Sequence, residues 1–390
     1  RYGFGQLSDQ SFGNSKAMGG VAIGLRDGRQ INVTNPASYT AVDSLTFLFE
    51  GGISLQNSNF DNGTIKLNAK NSTLDYIAMQ FRLNHKLAFT AGILPFSRVG
   101  YNTTTAESKL AGSETVSYVN TFQGNGGISQ AFFGVGYRVT TNLSVGANLS
   151  YLFGDLAHYS QLSFSDSSID SPSYSNGITI HDYKLDLGLQ YTHKLSERDQ
   201  LTLGLTYSLG HELSSTSFET KELIDASTSA YSTTTIESNG GFELPHAFGI
   251  GVSYMHNKQL TLAADYTYQK WGNTVFLQQE KQLCNRSKLS IGAEYIPNAL
   301  SKSYLSRIKY RAGIYYTDSY IKVMGERGAS EYGVSAGFGL PLFGSKSLLS
   351  ISGQYVQVKP KNFSSIKEQQ LRINIGITFN EGWFSKWKIQ

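Results

Sequence analysis

Several charged residues fall on the polar side of an apolar/polar alternation that runs through most of this chain. They are Glu50, Arg82, Lys184, Asp186, Asp265, Glu294, Lys309, Arg311 and Arg372. Asp265, Glu294 and Arg311 lie on three successive alternating segments, with Lys309 two residues from Arg311. Two chemistries suit such a set. Opposite charges can pair and tie an inner segment to its surroundings, because a buried charge is too costly to keep alone. Alternatively, a cation such as Arg311 or Lys309 can bind the carboxylate of an acyl ligand. Catalysis finds little support. Gly333-Val-Ser-Ala-Gly337 matches the G-x-S-x-G pattern of a nucleophile elbow, but that motif needs a strand–turn–helix setting. Here it sits inside an alternating segment, where small residues on one face account for it. The seven histidines are scattered without metal-ligand spacing, and the one cysteine, Cys284, excludes an internal disulfide. No enzyme activity, metal or cofactor is expected.

The elements that position these residues are strands. Hydrophobic content is 40% and charged content 16%, below the roughly 25% of soluble domains, while Gly, Tyr and Phe number 40, 24 and 22. No run of 18 apolar residues exists, so no helix is expected to span a bilayer. The net charge of +4 is spread along the chain and gives no nucleic-acid footprint. From residue 44 onward, ten-residue segments alternate. In 200–210, Leu201, Leu203, Leu205, Tyr207 and Leu209 face Thr202, Gly204, Thr206, Ser208 and Gly210, and residues 371–379 read the same way. Connections are short at 84–86, 140–142, 196–199, 256–258 and 343–346, with a longer one at 297–306. They are long and polar at 56–72, 98–127, 156–176, 214–240, 272–285, 320–328 and 359–366. Short turns at one end and long loops at the other describe an outer-membrane barrel. The expected fold is all-β: a 14-stranded antiparallel transmembrane β-barrel over 44–379, strand 3 covering 87–97. Residues 1–43 are rich in small residues, lack alternation and carry too few large apolar side chains for a core. They read as a hatch (plug) inside the lumen, where the wall completes their backbone hydrogen bonds. A chain opening at Arg1 suggests a mature form with its export signal removed.

Several stretches together resemble the FadL-type family of outer-membrane channels for long-chain fatty acids and other hydrophobic compounds. They are Gly19-Gly-Val-Ala-Ile-Gly-Leu-Arg-Asp-Gly with Asn35-Pro36-Ala37, Leu94-Pro95-Phe96, Gly124–Tyr137 running on to Leu143–Gly154, Glu243–Tyr254 with Leu260–Trp271, and Tyr310–Tyr316. The resemblance covers nearly the whole chain. It implies an N-terminal hatch and sideways passage of substrate where strand 3 kinks. Gly92, Pro95 and Phe96 would then border a lateral window backed by Asn35, Pro36 and Ala37. Inward apolar side chains are exceptions worth noting. Leu48, Leu94, Phe132, Leu152 and Trp271, joined by Tyr2 and Phe4 of the plug, could line a ligand pocket or simply pack on the hatch.

Beyond Phe379 the chain continues through 380–390 with Trp383, Phe384 and Trp387, an aromatic and basic tail that suits an interfacial anchor or a partner-docking handle. Two functions therefore compete. One is a passive channel for hydrophobic compounds such as fatty acids. The other is a non-transporting structural subunit of an outer-membrane assembly, such as the β-barrel insertion machinery. Both place the protein in a Gram-negative outer membrane with both termini periplasmic. Its expected partners are membrane lipid, a hydrophobic molecule or lipid in the lumen, and other outer-membrane proteins through the tail.

Overall fold

The computed structural model describes residues 4–382 apart from 44–45, 62, 65, 112–113, 167, 226–227, 229, 277–278, 281, 324, 343–345 and 360–366. Tyr2, Trp383, Phe384 and Trp387 therefore lie outside the described residues.

Fourteen antiparallel strands form the wall. They are β1 (Thr46–Asp61), β2 (Lys66–Arg82), β3 (Leu87–Arg98), β4 (Glu114–Arg138), β5 (Leu143–Phe164), β6 (Ser171–Lys194) and β7 (Asp199–Ser208). The second half comprises β8 (Ala247–His256), β9 (Leu260–Gln269), β10 (Arg286–Tyr295), β11 (Lys309–Thr317), β12 (Ser330–Pro341), β13 (Leu348–Lys359) and β14 (Lys367–Gly382). The barrel closes where β1 meets β14, paired from Thr46↔Gly382 to Asp61↔Lys367. Closure there leaves neither the first nor the last strand with an edge for lipid to satisfy, as a sheet that crosses a membrane requires. The side-chain distribution is the inverse of a soluble protein. Leu203, Leu205, Ile250 and Leu371 are exposed, whereas Thr202, Gln190, Asn374 and Gln354 are buried. An outward apolar face and a polar interior are what a lipid-embedded barrel requires.

Several strands run further than the alternation suggests. Much of the expected long connection 56–72 is the paired top of β1 and β2. Most of 98–127 is a hairpin in which Tyr101–Ala111 pairs with the first part of β4. Ser215–Ile224 and Tyr231–Asn239 form a further hairpin that extends β6. These extensions are mostly polar on both sides, with scattered apolar residues such as Phe218 and Ile236, so no regular alternation marks them. The last strand also passes Phe379: Asn380 is buried and donates its N–H to Ser347 Oγ at 3.2 Å, so the tail begins after Gly382.

Residues 4–43 thread the lumen with little regular structure, a helical turn at Gly13–Ala17 and a 3-10 turn at Pro36–Ala41. They help to build two apolar clusters. Near the short turns, Phe12, Ile31, Val33, Tyr39 and Val42 pack with Leu48, Tyr76, Leu94 and Phe132. Near the long connections, Phe4 packs with Leu152, Leu156, Phe242, Trp271, Phe276 and Tyr320. The chain's first described residue thus lies at the long-connection end. Both ends of the wall, Thr46 and Gly382, lie at the short-turn end.

Candidate functional site

The hatch is fixed by side chains that the wall turns inward. Asp265 Oδ2 accepts from the Ala22 and Ile23 N–H groups at 2.5 and 2.7 Å. Gln190 Nε2 donates to Ile23 O and Leu25 O at 3.0 and 2.9 Å. Asn148 Nδ2 donates to Val33 O at 2.9 Å while its Oδ1 accepts from Tyr39 OH at 2.8 Å. Ser335, the centre of the G-x-S-x-G match, accepts from Gly19 N–H at 2.8 Å and donates to Ala17 O at 3.0 Å. That serine is a tether. Backbone also meets backbone directly: a Cβ added at Gly204 would overlap the Ile23 carbonyl, and one at Gly313 would overlap Met18 and Gly19. Glycine is the residue that permits such an approach.

The charges resolve into two groups. Arg311 Nε donates to Glu294 Oε2 at 2.7 Å, its guanidinium also reaches Gln30 Oε1 and Ser350 Oγ at 3.2 Å, and its side chain is fully buried. Lys309 Nζ bridges Glu294 at 3.4 Å and Asp27 of the hatch at 3.1 Å. Glu294, Lys309 and Arg311 therefore form one network with Asp27 and Gln30 at the short-turn end. Asp265 stands apart from it, holding hatch backbone higher in the barrel. The sequence reading missed Asp27, Gln30, Gln190 and Asn148. Gln190 and Asn148 carry only the signal of a polar residue at an inward strand position, shared with many others, and Asp27 and Gln30, in the hatch, carry none. It also missed Lys16, which pairs with Asp75 at 2.6 Å.

The wall is irregular at β3. It pairs with β2 only from Ile77↔Ile93 to Arg82↔Ala88. On its other edge it follows β4 past Pro95, with a register slip between Pro95 and Ser97. Proline removes a ladder donor and belongs at such a break. The edge abandoned by β2 is taken by the chain's own start. Gln6 and Leu7 pair with Arg98 and Ser97, Ser8 N–H donates to Phe96 O at 2.9 Å, and Gln10 Nε2 donates to Pro95 O at 3.0 Å. Arg98 also reaches across to Leu74 O at 2.5 Å.

Asn35, Pro36 and Ala37 do not back this break. Asn35 is fully buried against β6, donating to Ile23 O at 2.9 Å and Leu189 O at 3.2 Å. Pro36 abuts Gly146 and Gly188, near the short turns. The hatch residues at the break are 6–10, some thirty positions earlier in the chain. Gly92 pairs on both sides, with Ala78 and Phe132, below the break. Phe96 packs on the upper cluster. The suggested pocket residues also separate. Leu48, Leu94 and Phe132 belong to the lower cluster, Phe4, Leu152 and Trp271 to the upper. Hatch side chains fill both. Phe12 stacks on Tyr76 at 3.8 Å between centroids, and Phe4 meets Phe242, Trp271 and Phe276 at 6.1, 5.6 and 5.6 Å. Between the clusters lies a polar space of about 220 Å³ bordered by Asp9, Lys184, Asp265, Arg286, Lys288 and Arg372 among others.

The BamG family model matches residues 1–390. The chain belongs to the BamG family. No curated protein matches it. Among solved structures, this BamG-family barrel is similar to the monoaromatic hydrocarbon channel CymD (15% identity, TM-score 0.67, covering 99% of this chain and 100% of that one). It is also similar to the Ralstonia pickettii toluene transporter TbuX (18%, 0.60, 95% and 98%). A Pseudomonas aeruginosa FadL homologue is a third (12%, 0.63, 96% and 99%). At these identities the likeness is one of fold, a closed 14-stranded antiparallel barrel.

Proposed function

We propose that this protein is a non-transporting structural subunit of an outer-membrane protein assembly, such as the β-barrel insertion machinery. The observation that carries the reading is the occupied upper edge of β3. Beyond Pro95 its backbone is met by β4 on one side and by residues 6–8 and Gln10 on the other. A lateral exit needs that edge free. The filled apolar clusters and the tethered hatch support the same reading, as does the chain's place in the BamG family. Trp383, Phe384 and Trp387 are the proposed docking handle. The proposal assigns no enzymatic role and places both ends of the wall on the periplasmic side.

A second reading, passive uptake of hydrophobic compounds such as fatty acids through a window at Pro95 and Phe96, is favoured by one observation. β2 and β3 part above Ile77↔Ile93, and among the described residues, 6–7 pair with β3 but not with β2. Gentle purification from native membrane followed by mass spectrometry distinguishes the two. The structural reading expects a protein in fixed ratio, released when residues 383–390 are deleted while the barrel stays folded. If no protein accompanies the barrel, the channel reading replaces it.

A further inference from the structure

The outer wall over β4–β9 carries a feature independent of the lumen. One lateral row crosses six strands: Val135 pairs with Ala147, then Leu187, Tyr207, Phe248 and Tyr268 follow in register. Ala147 is the smallest of the six, and the wall is dented around it. The result is an outward apolar depression of about 920 Å³, within the roughly 300–1,000 Å³ of ligand sites. It runs obliquely across the membrane. Its lower border at Tyr137 and Val145 adjoins the short turn at 140–142, and Tyr268 at its other end lies just before Lys270, toward the long connections.

The upper end is polar in a particular way. His246 Nδ1 accepts from Gly210 N–H at 3.1 Å and lies 2.9 Å from Tyr207 OH. The proton of the neutral ring is therefore on Nε2, and the residue is exposed. Lys270 Nζ sits 5.3 Å from the Phe248 ring centroid, with no carboxylate partner among the described residues. Glu243, three residues before His246, is engaged by Val275 N–H at 3.0 Å. One cation and one donor with no protein partner among the described residues thus stand at the mouth of an acyl-sized groove. Cations over aromatic rings at an interface attract a phosphate while the rings face the chains.

We propose that this depression holds one membrane glycerophospholipid, its acyl chains along the groove and its phosphate at Lys270 Nζ and His246 Nε2. A single cation with a single donor matches one phosphate rather than a multiply phosphorylated lipid. A second apolar depression of about 510 Å³, over β8–β12 around Ala312, provides an internal control.

The test uses the full chain, extracted in mild detergent, washed with excess detergent and examined by native mass spectrometry with lipid analysis. Wild type should retain one phospholipid per barrel. Ala147→Trp and Lys270→Glu should each lower retention at least tenfold, and Ala312→Trp should leave it unchanged. Heat-modifiable migration on gels reports that each variant is a closed barrel. If Ala147→Trp does not fold, the exposed Lys270→Glu decides. The proposal is overturned if wild type retains no phospholipid or if all variants retain it equally. It is overturned equally if Ala312→Trp loses as much as Ala147→Trp, or if the molecule lost on Ala147→Trp is a protein.

Discussion

At the scale of single residues, Arg311 is the best-determined part of the interior. It is fully buried, it answers Glu294, and it reaches Gln30 of the hatch. Removing one partner of a buried pair leaves the other charge uncompensated, which costs about 3–5 kcal/mol. Arg311→Ala should therefore lower the barrel's melting temperature clearly, read from loss of heat-modifiable migration. An unchanged melting point would show that Lys309 alone suffices for Glu294. Asp27 adds a pH dependence. Burial pushes its carboxyl up, but Lys309 and the Arg29 N–H, at 3.1 and 3.0 Å, outweigh this and hold it below the usual carboxylate range. A lowered folded value means stability that is present above about pH 3.9, the unfolded value, and lost as pH falls through the lower folded one. The hatch should become more sensitive to an acid-active protease below about pH 4, and Asp27→Asn should remove that part of the pH dependence. The alternation in the sequence placed Glu294, Lys309 and Arg311 on one face and left their partners open. Asp27 and Gln30 lie in a segment without period, where no spacing says what they face.

At the scale of elements, the wall and the hatch were legible to different degrees. Where a strand has lipid on one side and a polar lumen on the other, as in 200–210, the period of two is forced and the sequence displays it. In Tyr101–Ala111 both faces are polar, the constraint lapses, and a paired strand looks like a loop. The hatch is harder still. Its path is set by tertiary contacts such as Asn35 to Leu189 O, and nothing local told Asn35-Pro36-Ala37 apart from residues 6–10 as the segment behind Pro95. Two predictions belong here. A side chain at Gly313 would meet hatch backbone, so Gly313→Val should lift Met18 and Gly19 and speed cleavage after Arg26 by trypsin about tenfold, with the barrel still closed. Equal protection of both proteins would contradict the tight seat. Deleting residues 1–10 should free the β3 edge. Amide exchange at Arg98, whose N–H faces residue 6, should rise strongly, while that of Ile375 on β14 should not.

At the scale of the whole molecule, the account turns on whether the wall is ever open beside Pro95. The BamG-family barrel shares its fold with proteins named as hydrocarbon channels, yet here residues 4–10 are threaded so that Leu7 and Ser8 occupy the upper edge of β3 and Phe4 packs in the upper apolar cluster. The measurement that bears most directly on this is uptake of a labelled long-chain fatty acid by whole cells. Cells with the wild-type protein should take it up no faster than cells lacking it. Faster uptake with wild type, abolished when residues 7 and 97 are replaced by cysteines and joined by a disulfide, would contradict the structural-subunit account and establish the window.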